Sequence, residues 1–336
     1  MMIETNPTKP NRRGAVLACV LSLVSLCSVA SAQLVPERLY YGVKRTMPMR
    51  VALPADATGE ATIKLYAMNA KEPLASANVD EGLVDLASLF PGLWTSTPPS
   101  VQYAQLEIDG EGVGSPVVLQ PMMSPTYFRS NPQNPRARPI AQSMGNTYTG
   151  IRAWSDVNVV FETSEGDIEF RMRPDHAPNH VYNLIHLAEG GFYTDVIFHR
   201  IIGERQGRSA FVVQGGDPTG SGTGGPGYFV DLENSRLEHN FGVLSMARSG
   251  DPNSAGSQMF ICLSRDGTSF LDGSYTAFAE AVSGGDAIRA MGSAEVGAGD
   301  RPNDPPVLRR AYTKPAPPFG TGPAPLHTEV APDTGR

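Results

Sequence analysis

The chain has 336 residues, 40% of them hydrophobic and 18% charged, with 35 glycines, 29 prolines and a formal net charge of −7. That length admits about two domains with separate cores. The acidic balance, without any run of like charges, excludes the basic face a nucleic-acid binder needs. The glycine and proline content favours turn-rich β architecture over a helical bundle.

The N-terminus carries the first signal. Lys9, Arg12 and Arg13 precede the apolar run AVLACVLSLVSLCSVA at 15–30, and small residues Ala30 and Ala32 follow the pattern of a cleavage site. Residues 1–32 therefore read as a cleavable secretory signal. The expected localisation is periplasmic or extracellular, with no membrane attachment after cleavage. The other reading is an uncleaved anchor, for which the run is short. Cleavage removes Cys19 and Cys27 and leaves Cys262, so the mature chain has no internal disulfide. Cys262 lies in the apolar stretch MFICL and reads as a small core residue rather than a nucleophile.

Residues 33–124 read as an all-β, sandwich-like domain whose role the residues do not reveal. TIKLYAM (62–68) and AQLEID (104–109) alternate apolar and polar residues, the period of a strand with one buried and one exposed face. Residues 125–155, rich in Pro, Asn, Arg and Gly, read as a linker that few contacts should cross. Residues 315–336, with PAPPFGTGPAP, read as a disordered tail.

From residue 156 the pattern tightens. VNVVFETSEGDIEFRM reads as a hairpin. PDHAPNHVYNLIHLAEGG reads as a helix, with Pro178 in its first turn, Val181, Leu184, Ile185 and Ala188 on one face, and Gly190 at its stop. VIFHRII, AFVVQ, FGVLSMA, SQMFICLS and YTAFAEAV are short strand-like runs divided by glycine-rich turns. They read as a closed or nearly closed β structure with few helices. Within FHRII, Arg200 sets a permanent cation among apolar residues.

The succession FHRII, FVVQGGDPTGSGTGGPGY, LEHNFGVLSMA, GSQMFICL and FLDGSYTAF resembles the cyclophilin-type peptidyl-prolyl isomerases, in the compact bacterial form. The resemblance covers about 156–312, within a domain drawn at 156–314. It implies a mainly β fold, an eight-stranded antiparallel barrel with two flanking helices. It implies that Arg200 and Gln214 are catalytic, and that Phe211, Val212, Phe260, Phe270, Leu271 and Tyr275 line a proline pocket. Gln258 and backbone groups near Ala247 and Arg248 would pair with an extended peptide. Val212, Arg248, Phe270 and Tyr275 depart from the usual methionine, asparagine, tryptophan and histidine. The loop GERQGRSA (203–210) is longer than usual. The expected function is prolyl isomerisation assisting exported proteins, acting on proline-containing polypeptides with no cofactor and no metal. The alternative is a module that binds proline segments without turnover. His176, His180 and His186 invite a metal reading, which Pro178 and the lack of a fourth ligand oppose. GGDPTGSGTGGPG invites a phosphate-cradling reading, but no Gly-Lys-Ser/Thr ending follows.

Overall fold

The computed structural model describes residues 33–328 apart from 56, 96–99, 132, 135–137, 144 and 146. The signal expected at 1–32 and the end of the tail, 329–336, lie outside the described residues. The first strands are β1 (Gln33–Pro36), β2 (Tyr40–Gly42), β3 (Pro48–Ala52), β4 (Ala61–Ala67), β5 (Ala75–Asn78) and β6 (Gly82–Asp85). A single turn, α1 (Leu86–Leu89), follows. Next come β7 (Gln102–Ile108), β8 (Glu111–Met123), β9 (Thr126–Arg129), β10 (Ile140–Ser143) and β11 (Tyr148–Ser155). They form a three-stranded sheet, β1-β3-β6, and a six-stranded sheet, β2-β11-β8-β7-β4-β5, while among the described residues β9 and β10 pair only with each other. Leu34, Met49 and Val51 of the small sheet meet Ile63, Leu65, Leu106, Val117 and Leu119 of the large one in a single core.

Three expectations fail here, each for a physical reason. The linker at 125–155 contains β11, which lies between β2 and β8 in the large sheet. Its alternation, with Ile151 and Ala153 turned into the core, was hidden beside a Pro- and Asn-rich stretch. β11 ends at Ser155 and the next strand begins at Val157, so one residue, Asp156, joins the two units. Second, β7 is buried on both faces: Ala104 and Leu106 face the N-terminal core, while Tyr103, Gln105 and Glu107 are buried on the other side. The third correction, the tail, explains that burial. Residues 316–328 fold back: Phe319 stacks on Tyr66 at 4.7 Å and meets Tyr103 at 5.0 Å, and its amide donates to Gln105 Oε1 at 2.8 Å. Proline-rich composition reads as disorder only when nothing apolar anchors it.

The second unit comprises β12 (Val157–Thr163), β13 (Gly166–Met172), helix α2 (Pro178–Glu189), β14 (Val196–Ile197), β15 (Arg200–Ile202) and β16 (Val212–Gly215). Then follow β17 (Val243–Met246), β18 (Met259–Cys262), the turn α3 (Arg265–Thr268), β19 (Ala277–Ala281), α4 (Gly285–Gly292) and β20 (Val307–Pro315). The strands make one antiparallel sheet in the order β14-β20-β12-β13-β19-β17-β18-β16-β15. Its edge strands, β14 and β15, are separated in the chain by only Phe198 and His199, so the sheet curls until its edges approach. There are nine strands rather than the expected eight, because the segment 196–202 breaks at those two residues and pairs on opposite sides.

Strand alternation divides the curled sheet into two faces. Ile201, Val213, Leu244 and Ile261 point into the main core with Phe161, Phe170 and Phe278. Val212, Phe260 and Cys262 point outward into a smaller apolar cluster with Leu271 and Ala277. Cys262 is fully buried and its thiol is pushed up by desolvation, as its reading as a core residue requires. Helix α2 begins at Pro178 after Ala177, which has no capping side chain. Glu233 supplies the cap from a distant loop, accepting from the amides of Asn179 and His180 at 3.1 and 2.9 Å and from His180 Nδ1 at 2.7 Å.

Many contacts cross between the units, against the expectation of an open linker. Tyr103, Val118 and Trp154 belong to the core of the second unit. Trp154 meets Tyr182 edge-on at 5.6 Å, and Gln120 donates to Asn179 at 3.0 Å. Truncating Phe319 to alanine should cost about 2 kcal/mol. That is less than the ~3–5 kcal/mol for a fully buried phenylalanine, because this ring is partly exposed. Urea titration of both proteins checks it, and an unchanged midpoint would show that the tail carries no stability.

Asp156 generates a pH dependence. Its amide donates to Pro116 O at 2.8 Å and its carbonyl accepts from the Ala316 amide at 3.1 Å, so it sits where both units and the tail meet. Burial there, with Asp175 adding to it, outweighs the Val157 amide and Arg171 and pushes its carboxyl up to about 7. Between about 4 and 7 the folded chain then holds a proton that the unfolded chain has released, so this group makes stability fall as pH rises. Asp156→Asn should flatten that slope. Denaturant midpoints at pH 5 and 8 provide the measurement, and an identical slope in the variant would remove Asp156 as its source.

Candidate active site

Pairing register sets one row of residues side by side across four strands. Arg200 of β15 pairs with Gln214 of β16, Gln214 with Phe260 of β18, and Phe260 with Ser245 of β17. Two residues along, Ile202, Val212 and Cys262 form the next row on the same outward face. The sheet thus brings Arg200, Gln214, Phe260 and Val212 together from a span of about sixty residues.

The polar side of this patch is a directed chain. Arg200 Nη1 donates to Gln214 Oε1 at 3.2 Å, Gln214 Nε2 to Gln258 Oε1 at 3.2 Å, and Gln258 Nε2 to Gly224 O at 2.9 Å. Because a guanidinium can only donate, the first bond fixes the orientation of both amides. Arg200 keeps 41% of its side chain exposed, so part of its donor fork faces the solvent.

The apolar side is the cluster of Val212, Phe260 and Leu271, with Phe211, Ala247 and Tyr275 packed against it. Tyr275 meets Phe260 edge-on at 5.9 Å. Phe270 is 70% exposed and stacks on Phe211 at 5.6 Å, so it stands at the rim rather than in the pocket. Below Phe260, His239 stacks at 6.1 Å while bonding Asp272 at 2.8 Å and Ser245 at 2.9 Å. These three have the order of a nucleophilic relay, but Ser245 and His239 are fully buried and burial holds His239 below its usual pKa. They scaffold the ring.

A cleft of about 740 Å³ continues from Gln214 past Gln258, Ala247 and Arg248 to Tyr228 and Phe229. Arg248 does not leave its charge free in the groove. Its Nε and Nη2 donate to Ser274 O at 3.3 and 3.0 Å, and the guanidinium lies 4.4 Å over Tyr275. The Ala247 amide is likewise engaged, donating to Gln258 O at 2.9 Å, so that N–H is not the one a peptide meets. His199 is buried and sits beneath Gly222.

Three features escaped sequence reasoning. Asp300 approaches Arg200 Nε at 3.8 Å and accepts from Arg205 of the long 203–210 loop at 2.9 Å, an adjacency between elements a hundred residues apart. The β9–β10 arm reaches the 250–253 turn: Asn253 accepts from the Phe128 amide at 3.2 Å and donates to its carbonyl at 2.5 Å. Asp217 organises the glycine-rich loop. Fully buried, it accepts from the amides of Thr219, Gly222 and Gly224 at 2.7, 2.6 and 3.0 Å. The cradle that looked suited to phosphate is thus filled by the chain's own carboxylate. A Cβ at Gly224 would fall 2.0 Å from Asp217, which is why glycine stands there.

With this geometry in view, the comparisons are decisive. Residues 158–313 match the family of cyclophilin type peptidyl-prolyl cis-trans isomerase/CLD. Peptidyl-prolyl cis-trans isomerase-like 1 of Aspergillus fumigatus is 43% identical over 159 residues, 46% of this chain and 93% of the relative. The chain belongs to the cyclophilin-type peptidyl-prolyl isomerases. Peptidyl-prolyl cis-trans isomerase ppi1 of Schizosaccharomyces pombe is 42% identical over 159 residues, 46% of this chain and 97% of that one. A solved cyclophilin of Cryptosporidium parvum, 31% identical, covers 47% of this chain and 98% of its own, with a TM-score of 0.43. The protein is a peptidyl-prolyl cis-trans isomerase, and its cyclophilin segment is the curled sheet with its helices. Residues 33–155 lie outside the matched segment.

Burial would raise the Asp217 carboxyl, but hydrogen bonds from the amides of Gly224, Thr219 and Gly222 and from the Thr219 hydroxyl outweigh it and hold the group well below the usual carboxylate range. Its contribution is complete above about pH 4 and is lost only as pH falls through that lowered value. Asp217→Asn should destabilise the cyclophilin by about 2 kcal/mol, the scale of lost charge-assisted bonds, and raise KM for a proline peptide more than it lowers kcat. Thermal unfolding and steady-state kinetics read the two effects. A variant with native stability would mean the loop does not depend on the carboxylate.

Proposed function

We propose that this chain is an exported prolyl isomerase in which Arg200 weakens the amide resonance of the scissionless prolyl bond while the cluster around Phe260 holds the proline ring. The observation that carries the reading is the row Arg200–Gln214–Phe260, a permanent donor held by a neutral amide at the lip of an apolar pocket. Rotation about X–Pro is slow because the C–N bond is partly double, with a barrier of about 18–20 kcal/mol. A catalyst has no bond to break: it must favour the twisted amide over the planar one. A donor at the prolyl nitrogen draws off the lone pair that sustains the resonance, and that donor acts more strongly where apolar walls exclude water. Arginine suits the task because it remains charged and its fork is rigid. Gln214, anchored through Gln258 to Gly224, would hold the fork in place without cancelling its charge.

In this reading Phe211, Val212, Leu271 and Tyr275 complete the proline pocket, Phe270 guards its rim, and Ala247, Arg248 and Gln258 border the peptide. The curled sheet is the family's eight-stranded barrel with β14 and β15 as halves of one bent strand, and the two N-terminal sheets form a small sandwich. Export rests on the basic residues, apolar run and small-residue site within 1–32. Sequencing the N-terminus of the protein recovered from outside the cytoplasm tests it: a start at Gln33 supports export, and an intact Met1 in the cytoplasm opposes it.

Arg200→Ala should lower turnover of a four-residue proline peptide about 10²–10³-fold, the range for removing one donor to a developing transition state, with little change in thermal stability. Arg200→Lys should recover little, since a point charge cannot both donate to Gln214 and reach the prolyl nitrogen in a fixed fork. A protease-coupled isomerisation assay decides, and near-native turnover in the alanine variant would dismiss Arg200 as the donor.

A further inference from the structure

The groove of the cyclophilin segment has a neighbour. On the far side of Tyr228 and Phe229 lies a second cleft, of about 450 Å³, whose walls come from both units. Pro125, Thr126 and Arg152 belong to the N-terminal unit, and Tyr182 and Asn179 to helix α2. Tyr228 and Phe229 line this cleft and the 740 Å³ groove alike, so the two are continuous across one ridge. Phe229 stands on that ridge with 74% of its surface exposed, an apolar ring held in water between two concavities.

The ridge is fixed in place. The Tyr228 hydroxyl donates to Asn183 Oδ1 at 2.6 Å, Asn183 Nδ2 donates to Gly256 O at 2.8 Å, and the Val230 amide donates to Ala255 O at 2.8 Å. The far wall is equally built. The Arg152 guanidinium lies 4.5 Å over Tyr182 and 5.7 Å from the Tyr40 ring, and its Nη2 donates to Asn179 Oδ1 at 3.4 Å. Asp231 and His186 also border the cleft, and Glu233 is engaged there in capping α2. From Thr126 the strand β9 runs on to the 250–253 turn, where Phe128 pairs with Asn253 and Ser130 Oγ donates to Gly250 O at 3.3 Å. The strand whose first residue, Thr126, lines the second cleft is thus pinned to the 250–253 turn, next to groove residues Ser249 and Ser254.

We infer that the N-terminal unit lengthens the client-binding surface. The occupant of the second cleft is the same unfolded polypeptide whose proline lies in the groove, with an apolar side chain on Phe229 and its backbone carbonyls toward Arg152. The inference rests on the groove being the isomerase site, and continuity with that groove selects a client chain over any separate ligand. It deepens the substrate class from a proline dipeptide to an extended segment. A peptide of about fourteen residues spans up to about 45 Å when extended, whereas four residues cover about 13 Å and engage the groove alone.

Two measurements on the full chain test it. Thr126 is exposed at the cleft mouth, so Thr126→Trp should fill the cleft without disturbing a core. The variant should turn over a four-residue proline peptide at the native rate, yet bind an unfolded fourteen-residue peptide with central proline about tenfold more weakly by fluorescence anisotropy. Equal affinity for the long peptide in both proteins overturns the inference. Absent turnover of the short peptide by the native protein would instead overturn the isomerase reading of the groove. The second measurement needs no variant. A long peptide carrying a photoreactive side chain several residues from its proline should form adducts at Thr126 or Tyr182. Adducts confined to the groove, at residues 222–229 or 247–258, would sink the proposal. So would a native dimer that Phe229→Asp dissociates, because a second copy would then be the occupant.

Discussion

Most of this molecule depends on strand alternation in one curled antiparallel sheet. A period of two forces neighbouring residues to opposite faces, so each of β15, β16 and β18 serves two environments at once. Ile201, Val213 and Ile261 are committed to the core, and that commitment fixes the outward direction of Arg200, Gln214 and Phe260. A slip of one residue would bury the guanidinium and expose the isoleucines. The cost of such a slip is what keeps the site's geometry in place.

The electrostatics follow from that placement. Arg200 is braced by Gln214, a neutral amide that orients the fork and leaves the charge intact. The carboxylate that does approach, Asp300, is shared with Arg205 at a shorter distance, 2.9 Å against 3.8 Å. The unusually long 203–210 loop thus draws an acid's charge away from the groove-facing arginine. Asp217 acts in the opposite sense, with its charge consumed entirely by the loop it shapes. Asp300 is thus shared between two arginines and Asp217 is taken up by its own loop, so neither serves Arg200 alone.

The N-terminal unit is joined through a single residue, but it is held by a broad surface. Phe319 on Tyr66 and Tyr103, Trp154 on Tyr182, and Asn253 on Phe128 come from three separate stretches of chain. Such a surface favours the two units moving together rather than swinging about Asp156.

By itself the sequence determined much of the cyclophilin segment. The hairpin at 157–172 and the helix at 178–189 were legible because their periodicity and turn residues are local, and the ordered motifs from FHRII to FLDGSYTAF carried the family. What only the tertiary structure decided were the matters set by distant partners. Tyr148–Ser155 is a strand because β8 and β2 flank it. The proline-rich tail is ordered because Phe319 finds two rings. Gln105 and Glu107 are buried because the tail and Lys64 and Tyr66 cover and pair with them. Asp300 meets Arg200 only after the sheet has curled. Composition and period report what a residue prefers beside its chain neighbours. Burial and charge pairing depend on what arrives from far along the chain, and no local pattern contains that.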